Sequence, residues 1–205
     1  MYAGMSKGAA TALLAISVFF TAPAAAEEIG GLSPATPQPL AEALQPGLAV
    51  TYYWHKFNDT QEITEWAKYR KGNPGKPIEI LDYWVGDGEV LTSGRTDFVG
   101  AHIMGLINLS KAGTYTFSTH SNDGIDLKIG GQQIVKDTGV HSDRYSDLVN
   151  VKITTPGWYP VDLLYFEKQV TSTLELFWLQ PGETGQLNHV PAEAFAHIEG
   201  TRPGS

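Results

Sequence analysis

Cysteine is absent from the 205 residues, which excludes thiolate catalysis, cysteine-held zinc or iron–sulfur centres, disulfide staples and a lipidated cysteine anchor. Any metal ion must be held by imidazole, carboxylate or carbonyl groups. Positive charge is scarce too. Only 14 Lys and Arg stand against 22 Asp and Glu, a net charge of −8, so the chain has little with which to neutralise phosphates, and nucleic acid is not an expected partner. Long apolar runs are also missing. The stretch Ala9–Phe20 falls short of the roughly 20 residues that cross a bilayer as a helix. It follows Lys7 and precedes Pro23, Ala24, Ala25 and Ala26, small residues at the spacing a signal peptidase accepts, so residues 1–26 are expected to be a cleaved signal peptide. The expected product is an acidic chain with no stable membrane span, exported to a periplasm, a cell surface or the medium. Catalytic signatures are lacking as well: there is no G-x-S-x-G elbow and no H-E-x-x-H pair, and Gly86-Asp87-Gly88 has Leu91 where a phosphate loop needs its last glycine. The chain is therefore read as noncatalytic, although an acid/base pair of carboxylates is defined by distance and stays open at this level.

What is present is alternation. Residues 27–46 carry Pro34, Pro37, Pro39 and Pro46 among glycines and alanines and are expected to be a linker, with one helical turn between Pro39 and Gln45. From Gly47 the texture changes. Val50, Tyr52 and Trp54 alternate with Thr51, Tyr53 and His55 as in a strand, while Ile63, Trp66 and Tyr69 mark one short helix in an irregular stretch. Further strands are predicted over Phe98–Leu109, Thr114–Thr119, Ile125–Ile129, Val149–Ile153, Tyr159–Phe166 and Leu174–Leu179, the second and third read as a hairpin. Strands at this spacing with no sustained helical period predict an all-β antiparallel sandwich over residues 47–198, followed by a flexible tail, 199–205.

Several landmarks recur in a fixed order: Tyr52-Tyr53-Trp54, Gly113-x-Tyr115-x-Phe117, Ser121-Asn122-Asp123-Gly124, Leu127-x-Ile129-x-Gly131, Gly157-x-Tyr159-Pro160, Tyr165 and Leu174-x-Leu176-x-Trp178. Together they resemble the protective-antigen domain family, a lectin-like β-sandwich found in bacterial toxins, glycosidases and fungal adhesins. In its calcium-binding members two adjacent aspartates joined by a cis peptide hold the ion. The matching pair here is Asn122-Asp123, with an amide in place of the first carboxylate. The family's second calcium loop supplies an Asn side chain and backbone carbonyls, and by position these correspond to Glu167, Gln169 and Thr171. The resemblance thus implies a calcium site of Asn122, Asp123, Glu167, Gln169 and Thr171, in which the carboxylate lost at 122 is regained at 167. Calcium takes six to eight oxygen ligands and leaves positions for vicinal sugar hydroxyls. Read without the resemblance, Asn122-Asp123-Gly124 is equally a plain turn.

His120 flanks this loop and Asp126 follows it, so both join Asn122 and Asp123 as candidate ligand-binding residues, against the plainer readings of a satisfied imidazole and a solvated outward carboxylate. His141-Ser142-Asp143-Arg144-Tyr145 offers donors and acceptors in another loop. Trp178 and Tyr159 are expected to be core, and Lys68, Arg70, Lys71 and Lys76 form the one basic cluster, suited to an acidic polysaccharide or simply to solvent. The expected function is noncatalytic binding of a glycan or polysaccharide, with calcium as cofactor. The alternative is a structural or protein-interaction module of the cell envelope that uses neither metal nor glycan.

Overall fold

The computed structural model describes residues 28–200, so the expected signal peptide lies outside the described residues. Among the described residues fifteen strands form two sheets. The first holds β1 (Glu28–Ile29), β5 (Asp82–Gly86), β7 (Gly113–Asn122), β10 (Arg144–Tyr145), β11 (Val149–Ile153), β13 (Ser172–Leu179) and β14 (Asn188–His189). The second holds β2 (Leu44–Pro46), β3 (Ala49–Trp54), β4 (Asn73–Pro74), β6 (Val99–Leu109), β8 (Ile125–Ile129), β9 (Gln132–Asp137), β12 (Gly157–Glu167) and β15 (Phe195–Ile198). Pairing is antiparallel throughout except for β1 on β11. Among the described residues no helix is long and apolar enough to cross a membrane.

Period-two alternation puts one side of each sheet into a shared core. Val99, Ile103 and Ile107 of β6 and Leu163 and Tyr165 of β12 meet Tyr115 and Phe117 of β7 and Leu174, Leu176 and Trp178 of β13. Trp178 and Tyr159 are buried, as expected. A satellite cluster lies on the other side of the second sheet. The short helix α1 (Gln61–Ala67) sets Ile63 against Tyr53, Phe57 and Phe166, so outward positions of β3 and β12 are covered and their apolar character is explained. The expected short helix is present there, though Tyr69 falls beyond it and is exposed.

Three expectations need correction. Phe98 does not open its strand: it has a positive φ of 59° and is partly exposed, and β6 begins at Val99. The predicted hairpin of β7 with β8 does not form, because β7 pairs with β11 and β13 whereas β8 pairs with β12 and β9 in the other sheet. Their apolar sides face each other across the core, and alternation reads the same for strands that face as for strands that pair. Finally, the segment expected as a linker is part of the sandwich. Its β1 extends the first sheet and β2 pairs with β15 in the second, while Ser33 N donates to Gly130 O and Ala35 N to Trp158 O. The expected turn is there too, a 3-10 helix at Ala41–Ala43. The prolines lower the number of donors, but the residues between them keep theirs.

Candidate functional site

The topology brings two loops together. The chain leaves the first sheet at the end of β7 and enters β8 of the second; later it leaves β12 of the second and enters β13 of the first. Since β13 pairs with β7 and β12 pairs with β8, the two crossings run side by side at one end of the sandwich. They are stitched by Asp123 N donating to Phe166 O and Phe166 N donating to Gly124 O, each at 3.1 Å. Gly124 is required there, because a Cβ would come within 2.5 Å of both the Phe166 ring and Thr138 O.

The Asn122–Asp123 peptide is cis, the form taken by the family's paired aspartates. Asn122 O accepts from the buried Tyr165 hydroxyl at 2.7 Å, and Asn122 Nδ2 donates to Thr171 Oγ1 at 2.7 Å, which leaves Oδ1 as the free acceptor of the amide. Asp123 is buried. Its Oδ1 accepts from His141 N at 3.1 Å and its Oδ2 from Lys168 N at 2.9 Å. An ionised carboxylate has about four lone-pair sites, so each oxygen keeps one for a cation or a hydroxyl. Burial raises the Asp123 pKa, opposed by those two amides and by the nearby His141 and Lys168 side chains. Above the carboxylate opens a cleft of about 410 Å³ lined among others by Lys56, Asn122, His141, Lys168 and Val170.

Glu167 is the anomaly of this region. It closes β12 with 0% exposure, and neither carboxylate oxygen has a hydrogen-bond partner. Burial, then the negative charges of Asp97 and Asp123, push its pKa up to about 8, and the Phe98 amide moderates the effect without completing a hydrogen bond. A buried carboxylate without partner, beside two others, fits the donor set of an oxygen-seeking cation. Asp97 was not among the candidates from sequence. Its Oδ1 accepts from Val170 N at 3.0 Å and so ties the segment before β6 to the second loop. A lone Asp ahead of a strand carries no signal of that contact.

The other candidates divide. Thr171 joins the site through Asn122, and Gln169 lines the cleft, its carbonyl accepting from Thr171 N at 3.2 Å. His120 is directed elsewhere: its Nδ1 lies 2.7 Å from Glu175 Oε2, and Tyr145 stacks on its ring at 4.2 Å. Asp126 sits on β8, buried rather than solvated, with Oδ1 accepting from Gln133 Nε2 at 3.0 Å. In the His141–Tyr145 segment, Arg144 pairs with Asp137 and Asp143 with Thr173. The basic cluster is partly neutralised, with Lys68 on Glu65 and the Arg70 guanidinium over the Trp66 ring at 5.4 Å. Among the described residues, the one group of three His or carboxylate side chains whose ligand atoms all lie within 4.8 Å of one another is not in these loops but at Asp82, Glu175 and His189.

No curated protein sequence matches the chain. Solved structures do. The PA14 domain of the MpAFP antifreeze protein is 14% identical with a TM-score of 0.65, over 80% of this chain and 96% of that one. A PA14 sugar-binding domain from an RTX adhesin is 17% identical at TM-score 0.56, over 74% and 98%. The A domain of epithelial adhesin 9 from Candida glabrata, in complex with Galb1-4GlcNAc, is 12% identical at TM-score 0.60, over 84% and 99%. At these identities the likeness is one of fold. A family model described as the PA14 domain matches residues 44–189, and with that span holding every strand but β1 and β15 together with both crossing loops, the chain belongs to the PA14 domain family.

Proposed function

We propose that the chain is an exported, noncatalytic carbohydrate-binding module whose crossing loops hold a calcium ion. The carrying observation is Glu167, a carboxylate with no exposure and no partner beside Asp97 and Asp123. Asn122, Asp123 and Glu167 would hold the ion through side-chain oxygens, with Gln169 and Thr171 in the second loop, and Asp97 adds a third carboxylate. Bound calcium supplies coordination positions that favour paired hydroxyls over water. The chain's own residues supply the rest of the recognition. His141 and Lys168 fix the Asp123 carboxylate through backbone amides, and Lys168 Nζ, held by Asn58 Oδ1 at 2.8 Å, stands by the cleft as a donor. Val170, 61% exposed at a positive φ of 81°, offers an apolar contact for the C–H side of a sugar ring. The sugar-binding PA14 domain of the RTX adhesin and the adhesin A domain in complex with Galb1-4GlcNAc share this fold and support the same reading.

A glycan array read with calcium and with EDTA, on the wild type and on Asp123→Ala, tests this. Binding that needs calcium and is lost in the variant is expected. Binding indifferent to both overturns the calcium site, and chelator-insensitive capture of an envelope protein with no glycan signal favours the interaction-module alternative.

A further inference from the structure

A second ligand set lies on the outward side of the first sheet, in the row two residues along β7 and β13 from the crossing loops. One edge of β13 pairs with β7, and the other carries β5 and then β14 in succession. In register, Asp82 of β5, Glu175 of β13 and His120 of β7 form one row across three strands, and His189 of β14 enters beside Asp82 at the seam. His189 Nε2 lies 2.8 Å from Glu175 Oε1 and 3.2 Å from Asp82 Oδ1, so two carboxylates converge on one ring nitrogen. One N–H cannot serve both acceptors well. A cation in place of that proton serves all three. Ligand atoms bound to zinc at about 2.0–2.2 Å in a tetrahedron lie about 3.3–3.6 Å apart, so the 3.2 Å contact nearly fits as it stands and the 2.8 Å contact has to open by about 0.5 Å.

We infer that Asp82, Glu175 and His189 form a site for a divalent transition metal of the zinc class. The imidazole nitrogen is the discriminating ligand, since calcium and magnesium take oxygen. The surroundings are those of a built site. Glu175 is buried, and its second oxygen is held by His120 Nδ1 at 2.7 Å, which fixes the carboxylate from behind. Phe177 packs on the His189 ring at 4.3 Å, and Tyr145 and Trp84 flank His120. Asp82 and His189 remain partly open to solvent, so the metal has an entry path and a free coordination position. Its ligands come from three strands, two of them short edge strands, so binding clamps β5 and β14 onto β13.

The test is calorimetric titration of the full chain with Zn²⁺ in saturating calcium, which keeps the loop site out of the readout. One zinc per chain is expected, together with slower amide exchange in β5 and β14. His189→Gln and Asp82→Asn, shown folded by circular dichroism, should each abolish uptake at concentrations that saturate the wild type. His120→Phe, which keeps all three ligands and loses only the outer partner, should weaken binding about 10–100-fold. No uptake by the wild type overturns the site, as does uptake that survives both ligand substitutions.

Discussion

Glu167 links folding to pH at the scale of one residue. In the unfolded chain a glutamate titrates near 4.5, whereas in the folded, calcium-free protein Glu167 does so at about 8. Between those values the native state holds a proton that the unfolded state has lost, so the stability is fully present below pH 4.5 and declines as pH rises towards 8. The decline amounts to roughly 5 kcal/mol at most. In EDTA the melting temperature should therefore fall between pH 5 and pH 8, and Glu167→Gln, neutral throughout, should flatten that limb. Calcium works in the opposite sense, since the ion requires the carboxylate: calorimetry in two buffers of different ionisation enthalpy should show about one proton released at pH 7. A variant with the wild-type pH profile would remove the buried carboxylate from the account. Tyr165 makes a second residue-scale case. Tyr165→Phe takes away the hydroxyl donor to Asn122 O, a loss of about 0.5–1.5 kcal/mol in denaturant unfolding, with weaker calcium binding because the first loop loses this anchor.

Strands show both what alternation specifies and where it stops. It places Tyr115, Phe117, Leu127, Leu163 and Leu176 on inner positions, and all of them are core. It does not name neighbours, and so β7 and β8 look like partners although they lie in opposite sheets. That same misreading hides why the two loops meet, a matter of pairing and not of pattern. Asn122, Asp123 and Glu167 were legible through family landmarks, whereas Asp97 and the Asp82–Glu175–His189 group depend on contacts between strands far apart in the chain. Packing between strands sets a further constraint at Gly105, where β3 gives way to β15 along the edge of β6. A Cβ there would lie 2.6 Å from Ala196 O and 2.7 Å from Leu48 Cδ2, and one of these atoms is backbone. Gly105→Ala should accordingly lower stability by about 1–3 kcal/mol in urea unfolding while leaving any binding at the two proposed metal sites unchanged.

For the molecule as a whole, the N-terminal segment has a role that its composition conceals. A two-sheet sandwich gains its stability from apolar burial between the sheets, but burial alone does not prevent the sheets from sliding or parting at an edge. The segment crosses from one to the other: β1 lies on β11 in the first sheet, while Ser33 bonds Gly130 and Ala35 and Gln38 bond Trp158 in the second. Gln38 does so twice, Nε2 donating to Trp158 O at 3.0 Å and Oε1 accepting from Trp158 N at 2.8 Å. Net contributions of about 0.5–1.5 kcal/mol for each of these four bonds give this strap roughly 2–6 kcal/mol. Because the family match begins at residue 44, a chain lacking residues 28–38 should still fold, with a lower melting temperature and faster amide exchange in β11, whose outer edge is then unpaired. Gln38→Ala should reproduce part of the loss in stability and none of the exchange in β11, since it cuts the attachment to the second sheet and leaves β1 in place. If the shortened chain melted with the wild type and its β11 amides stayed protected, the segment would be a passenger on the sandwich and not a tie between its sheets.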